Sequence, residues 1–195
     1  MTHCIGFMGY PGAGKSFGAR MASRYYDAPK VAIGDVVRDH AREELGESAS
    51  SADIGEWVTA QLAEDERAIN NWVIDRIREE NPGELAIIDG IRTPSDVEVF
   101  TEEFDQFSLV FIHADFETRL DRLRDRGRDG EDAFVAADLE ERDAREDDWG
   151  VKELLDTQAP DLLVENNETL AEFDAGLRGA VTFLLDESQL PKDPK

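Results

Sequence analysis

Short apolar runs alternate with longer amphipathic segments along the chain. Apolar runs predict β-strands at residues 3–8, 30–33, 85–89, 107–113 and 161–165. Helical periodicity predicts helices at residues 14–26, 36–45, 54–80, 95–104, 116–126, 134–148 and 170–185. Ser95 ends a proline turn and is expected to cap the helix that follows it. Because the strands are apolar on both faces, the alternation predicts a parallel sheet covered by helices.

The composition describes one acidic globular domain. The 195 residues include a hydrophobic fraction of 41%, which is enough for a core. Asp and Glu total 45 against 21 Lys and Arg, so the net charge is −24. That charge opposes binding to nucleic-acid backbones and anionic membranes. The net charge favours the interpretation that the protein is adapted to a salt-rich cytosol, where excess carboxylates keep its surface hydrated. The alternative is an ordinary acidic protein.

Targeting and redox signals are few. No apolar run approaches the roughly 20 residues of a membrane span. The first apolar patch, residues 4–8, is shorter than the apolar segment of about 7–15 residues in a signal peptide. Cys4 is the sole cysteine, which excludes an internal disulfide and a cysteine-based metal cluster. We expect a cytoplasmic protein without nucleic-acid or membrane partners, ending in a loosely ordered tail at 186–195.

The first predicted strand runs directly into a glycine-rich loop. The pattern is G-x-x-x-x-G-K-S, spelled Gly9-Tyr10-Pro11-Gly12-Ala13-Gly14-Lys15-Ser16. Glycines let backbone N–H groups approach phosphate oxygens, and the N-terminus of the following helix adds positive potential. Lys15 would reach the β- and γ-phosphates of ATP, and the Ser16 hydroxyl would ligate Mg²⁺. The alternative is a chance glycine-rich turn, but strand, loop and helix follow in the required order.

A carboxylate ends the third predicted strand. Asp89 at the tip of a buried strand beside a phosphate loop can hold a metal-bound water. The next residue is Gly90 and not a glutamate, which favours phosphoryl transfer to an acceptor over transfer to water. Alternatively, Asp89 caps the turn that follows.

Arginines follow two of the predicted strands. Arg38 lies shortly after the second strand and Arg92 shortly after the third. A guanidinium group suits phosphate oxygens because its planar fork binds two of them together. The alternative for each arginine is an ion pair on the surface of an acidic protein.

Seven more arginines are concentrated in residues 115–148: Arg119, Arg122, Arg124, Arg126, Arg128, Arg142 and Arg145. Helical spacing puts Arg122 and Arg126 on one face. We interpret the segment as a mobile lid that neutralises the transferred phosphoryl group, with bends at Gly127 and Gly130. A helix covered with salt bridges is the alternative, because the same segment is rich in acids.

These features together resemble a known superfamily. The phosphate loop, the run Gly34-Asp35-Val36-Val37-Arg38, the run Asp89-Gly90-Ile91-Arg92 and the arginine-rich segment resemble nucleoside monophosphate kinases of the adenylate kinase type. Residues 159–170 are similar to the last strand and loop of dephospho-CoA kinases. The fullest resemblance, over roughly residues 2–185, is to a family of archaeal adenylate-kinase-related P-loop proteins, which shares the run Arg142-Asp143-Ala144-Arg145-Glu146.

The resemblance implies a three-layer α/β/α P-loop NTPase fold. Its parallel five-stranded sheet would have the order 2-3-1-4-5. The core would comprise residues 1–35, 83–121 and 149–185. A helical acceptor lobe would span 36–82, and a lid would span 122–148.

The resemblance also assigns roles by position on the acceptor side. Arg38 and Arg92 would hold the acceptor phosphate, with Asp35 beside them. Asp35 and Asp89 would organise the waters around Mg²⁺, which Ser16 ligates.

On the donor side, the resemblance implies that Arg122 lies over the adenine of ATP and that Arg126 contacts its phosphates. The loop at Asn166 would contact the base through its backbone. The expected catalytic cations are therefore Lys15, Arg92 and Arg126.

Two functions remain open at this point. The first is a kinase that uses ATP and Mg²⁺ to phosphorylate a small acceptor, either a nucleotide or a nucleotide-like phosphate. The second is a nucleotide-gated switch that hydrolyses ATP slowly and signals to a protein partner. The paired Arg38 and Arg92 favour the kinase, because a switch does not require an acceptor site.

Overall fold

A computed structural model of the chain describes residues 2–65, 67–80, 83–157 and 160–185. The predicted tail lies outside these residues. The described residues form one parallel sheet with the strand order β2-β3-β1-β4-β5, which confirms the expected fold. The strands are β1 (His3–Met8), β2 (Lys30–Ala32), β3 (Leu85–Asp89), β4 (Gln106–His113) and β5 (Leu162–Glu165).

Helices follow the strands along the chain. Their bounds are α1 (Lys15–Tyr26), α2 (Ile33–Leu45), α3 (Ser51–Glu64), α4 (Ala68–Glu79), α5 (Pro94–Glu103), α6 (Phe116–Arg126), α7 (Ala136–Trp149), α8 (Val151–Thr157) and α9 (Leu170–Leu184). A 3-10 helix covers Arg128–Ala133 between α6 and α7. Among the described residues, none of these helices has the length and apolar character needed to span a bilayer.

The sheet is buried on both faces. Successive residues of β1 alternate between two apolar clusters: Ile5 and Phe7 pack with α1 and α9, whereas Cys4 and Met8 pack with α4, α5 and α8. This two-sided burial explains the continuous apolar runs of the strands. Since β3 is parallel to β1 with Asp89 opposite Phe7, the loop after β1 and the carboxyl end of β3 meet at one edge of the sheet.

The helix predicted at residues 54–80 is wrong, because the chain forms two helices there. The break falls after α3, where Asp65 adopts an extended backbone. The Asp65 carboxylate accepts a hydrogen bond from the backbone N–H of Arg67 at 2.9 Å. An aspartate that bonds its own local backbone competes with helix continuation.

The predicted cap of α5 is also wrong. Thr93, and not Ser95, caps this helix: its side chain accepts from the Asp96 N–H, and the Asp96 carboxylate accepts from the Thr93 N–H. Pro94 occupies the first helical position, where the missing N–H costs nothing. Ser95 therefore lies inside the helix.

An aromatic stack joins the helices of the expected acceptor lobe. The His40 ring lies 4.4 Å from Trp72, and Trp72 lies 5.5 Å from Trp57. These three residues belong to α2, α4 and α3. Trp57 and Trp72 thus pack the three helices against one another.

Candidate functional site

The loop at residues 9–16 joins β1 to α1 through three glycines with positive φ: Gly9 at 152°, Gly12 at 81° and Gly14 at 98°. A side chain at any of them would also collide with neighbours, at Gly9 with the Ile112 carbonyl oxygen at 2.5 Å. A Cβ on Gly12 would lie 2.7 Å from the Arg119 carbonyl oxygen, and a Cβ on Gly14 would lie 2.4 Å from Asn166 Nδ2. The backbone is therefore shaped as a glycine-dependent cradle at the start of α1, which suits phosphate oxygens.

Asn166 lies against this cradle through its side-chain amide, whereas its backbone N–H donates to the His113 carbonyl oxygen. Its Nδ2 donates to the Ala13 carbonyl oxygen at 2.8 Å, and its Oδ1 accepts from Arg122 Nη2 at 3.3 Å. Arg122 Nη1 is buried without a hydrogen-bond partner among the described residues, and desolvation lowers the pKa of Arg122. An unpaired buried donor beside the loop is available to a ligand, and the position of Arg122 over the adenine of ATP stays a prediction.

Two oxygen ligands for Mg²⁺ meet at the start of α1. Ser16 Oγ donates to Asp89 Oδ1 at 3.1 Å, and Lys30 Nζ lies 3.9 Å from Asp89 Oδ2. A hydroxyl and a carboxylate are donors that Mg²⁺ prefers. No group of three or more His, Cys, Asp or Glu side chains suited to a metal exists within the described residues. The Ser16 hydroxyl and the Asp89 carboxylate would suit an ion that a nucleotide's phosphates also hold.

Lys15 lies in a cluster of charges at the base of the cradle. Desolvation lowers the pKa of Lys15 to about 8; the charges of Glu146 and Asp89 oppose this shift, and those of Arg92 and Arg142 add to it. The structure thus brings together Lys15 and Arg92, which the sequence assigned to opposite sides of the reaction. It also adds Arg142, one of the arginines of the predicted lid, and Glu146, to which the sequence assigned no role.

Arg92 is held by two residues of α7. Its Nε lies 3.3 Å from Glu146 Oε2, and its guanidinium carbon lies 5.0 Å from the centre of the Trp149 ring. Glu146 is only 5% exposed while the Arg92 side chain is 40% exposed, so the pair joins a half-exposed arginine to a buried acid and is not the fully exposed ion pair considered as the alternative for Arg92. Trp149 is 47% exposed.

Glu131 is a second buried acid, and it binds two arginines of the predicted lid. Glu131 accepts hydrogen bonds from both Arg126 and Arg142, including 2.8 Å from Arg126 Nε and 2.6 Å from Arg142 Nη1. Burial alone would raise the pKa of Glu131, but the hydrogen bonds and charges of the two arginines lower it to about 2. Arg126 is therefore linked to Arg142 through their shared partner Glu131.

The other predicted acceptor residues stay apart from this cluster in the described contacts. Arg38 forms its ion pair with Asp35 at the start of α2, and both side chains are about half exposed or more. This is the surface pairing considered as the alternative for Arg38. No hydrogen bond or ion pair found among the described residues joins Arg38 to Arg92.

The sequence predicted no role for the individual acids of α7. Asp143 pairs with Arg119, Glu146 faces Arg92, and Asp147 accepts a hydrogen bond from the Tyr10 hydroxyl at 2.6 Å. Positions 143, 146 and 147 share one helical face, and this spacing was the available signal.

The fold and the site define a class. A parallel sheet in the order 2-3-1-4-5, a glycine-rich loop ending in Lys15 and Ser16, and Asp89 on the neighbouring strand belong to the P-loop kinase-like proteins. A family model described as an AAA domain matches residues 8–136. The chain belongs to this P-loop family.

Within that class, curated relatives share nearly the whole chain. A UPF0200 protein of Methanosarcina mazei is 34% identical over 189 residues, covering 95% of this chain and 97% of the relative. A UPF0200 protein of Methanoculleus marisnigri is 36% identical, covering 92% of this chain and 96% of the relative. The chain is therefore a member of the UPF0200 family, and the expected archaeal resemblance is confirmed.

Solved structures with low identity share the fold. A shikimate kinase from Bacteroides thetaiotaomicron superposes with a TM-score of 0.57 at 14% identity, covering 93% of this chain and 97% of its own. A gluconokinase from Sinorhizobium meliloti superposes with a TM-score of 0.55 at 17% identity, covering 93% and 95%.

Proposed function

We propose that the protein is an ATP- and Mg²⁺-dependent phosphotransferase whose acceptor is a nucleotide or a nucleotide-like phosphate. The observation that carries the proposal is the glycine-dependent cradle that ends in Lys15 and Ser16, with Ser16 Oγ 3.1 Å from Asp89 Oδ1. The charges of Arg92 and Arg142 act on Lys15 beside it. The loop amides and Lys15 are sufficient to bind a triphosphate. Further guanidinium groups at the same point suit a second anion or the charge of the transferred group.

Each residue of the site would have a role set by its position. The loop amides and Lys15 would bind the donor phosphates, while Ser16 and Asp89 would hold the metal and its water. Magnesium-bound ATP would supply the phosphoryl group and a divalent charge. Arg92 would face the acceptor, and Arg142, oriented with Arg126 by Glu131, would neutralise charge on the transferred group.

Positioning would supply most of the rate acceleration. In-line phosphoryl transfer needs two aligned reactants and excluded water, and little covalent help from the protein. Gly90 after Asp89 leaves that position without a carboxylate base, which supports transfer to an acceptor over hydrolysis.

A nucleotide-gated switch is the second candidate. It draws support from the pairing of Arg38 with Asp35 and of Arg92 with Glu146, because both acceptor arginines already have partners within the chain. The two functions differ in their response to acceptors, and the experiment below separates them.

The test is an acceptor screen. The protein is incubated with ATP, Mg²⁺ and each nucleoside monophosphate or dephospho-CoA in high KCl, and ADP release and phosphorylated product are measured. We expect one acceptor class to stimulate ADP release with matching product. ATP turnover indifferent to every acceptor would support the switch and overturn the kinase.

Two lysine variants define the site in that assay. Lys15→Ala is expected to abolish turnover while its unfolding transition stays close to that of the wild type. Lys152→Ala is the matched control, because Lys152 is an exposed lysine paired with Asp156 on α8. Normal turnover in Lys15→Ala would contradict the assignment of the phosphate loop.

A further inference from the structure

Glu146 is a buried acid at the meeting point of the two proposed substrate sites. It is 5% exposed, its Oε2 lies 3.3 Å from Arg92 Nε, and its charge also acts on Lys15. A carboxylate in a site for two phosphorylated substrates repels both of them. Its presence there calls for a compensating role.

Contacts on both sides fix the place of Glu146. Toward the phosphate loop, Asp143 and Asp147 on the same helical face bind Arg119 and Tyr10. Beyond the end of α7, a Cβ on Gly150 would lie 2.9 Å from Pro94 Cδ and 3.4 Å from the Arg92 carbonyl oxygen. The C-terminal half of α7 is thus packed between the phosphate loop and the loop that carries Arg92.

Electrostatics explain why Arg92 needs such a partner. The charges of Arg92 and Arg142 both act on Lys15, which is itself desolvated, so Lys15 is repelled by each of them. The facing atoms, Arg92 Nε and Glu146 Oε2, are both buried and form no hydrogen bond within the described residues. Charge attraction and the Trp149 ring therefore hold the guanidinium, without a directional hydrogen bond at Nε.

We propose that Glu146 is a positioning residue, an internal counter-ion that holds the Arg92 guanidinium in place so that it faces the acceptor phosphate. The proposal rests on the phosphotransferase function proposed above. Glu146 weakens nucleotide binding by repulsion and raises turnover by keeping Arg92 in place. These two effects have opposite signs, whereas damage to the fold would weaken both binding and turnover.

The test compares Glu146→Gln with the wild type in two measurements. Calorimetry with magnesium-bound ATP is expected to give a dissociation constant roughly threefold to tenfold lower in the variant, because one repelling charge is removed. Acceptor-dependent kcat is expected to fall at least about tenfold, because Arg92 is no longer held. Glu146→Asp keeps the charge and is expected to retain more turnover than Glu146→Gln.

Glu141→Gln is the matched control, since Glu141 lies on the same helix in an exposed pair with Arg145. It is expected to change neither measurement. Nucleotide binding that is unchanged or weaker in Glu146→Gln would overturn the proposal, and so would unchanged turnover. A wild type that phosphorylates no acceptor would instead refute the proposed function, and the binding comparison would still decide whether Glu146 opposes the nucleotide.

Discussion

Arg119 on α6 and Asp143 on α7 form a bidentate ion pair with N–O distances of 2.8 and 2.7 Å. The same guanidinium donates to the carbonyl oxygens of Pro11 in the phosphate loop and of Ala114, each at 3.2 Å. Arg119 is 7% exposed. It therefore fastens α7 to the phosphate loop, and its place in the arginine-rich segment does not make it a lid residue.

Removing the acid from this pair is expected to destabilise the protein. Asp143→Ala leaves the Arg119 charge buried and unpaired, which costs about 3–5 kcal/mol of unfolding free energy. Denaturant unfolding at fixed salt measures the loss. Arg145→Ala, which removes an exposed pair with Glu141 at 3.6 Å, is expected to cost less than about 1 kcal/mol. Equal losses in the two variants would contradict the structural role of Arg119.

Asp89 is expected to act on the metal and not on the nucleotide directly. Asp89→Asn keeps the shape of the side chain, and we expect the Mg²⁺ concentration for half-maximal ATP binding to rise about 10- to 100-fold. Magnesium titrations of ATP binding measure this shift. ATP binding without magnesium is not expected to weaken, since a negative charge is removed. An equal loss with and without magnesium would place Asp89 outside the metal site.

Gly14 is expected to tolerate no side chain. Gly14→Ala combines a φ of 98° with a Cβ 2.4 Å from Asn166 Nδ2, so it should displace the side chain that braces the loop and abolish measurable ATP binding. Gly46→Ala has a similar φ of 89° but nothing within 4 Å of its Cβ. It should lower stability by about 1 kcal/mol and leave ATP binding intact. Calorimetry on both variants separates collision from backbone strain.

Glu131 is expected to stabilise the fold in a pH-dependent way. Its pKa falls from 4.5 to about 2 on folding, so its contribution is complete above about pH 4.5 and is lost as the pH falls through 2. Glu131→Gln should therefore cost about 1–3 kcal/mol at pH 7 and markedly less at pH 3.

Chemical unfolding at pH 7 and pH 3 measures this difference. Glu140→Gln, at an exposed position of α7, serves as the control and should cost little at either pH. A cost in Glu131→Gln that is the same at both pH values would show that the charge of Glu131 does not matter.

The elements were the most predictable part of the protein. Strands β1 and β3 and helix α6 have the predicted bounds, because their apolar periodicity is strong and local. The helix boundaries that were predicted wrongly also have local causes. A single Asp65 turn divides α3 from α4, and the short helix α8 follows α7 after only Gly150.

The charged partners were the least predictable part. The chain has 45 acids and 21 Lys and Arg residues, so sequence spacing allows many more ion pairs than can form. Arg119, Arg126 and Arg142 belong to one run of sequence, yet burial commits Arg119 to Asp143 and the other two to Glu131.

By itself, the sequence determined the parallel sheet, the phosphate loop and the Ser16–Asp89 side of the site, since each depends on contiguous residues or on strand ends that a parallel sheet must bring together. Only the tertiary structure decided which cations surround Lys15 and which acids hold them. Those choices depend on how α7 packs against two loops distant in sequence, and no local pattern encodes that packing.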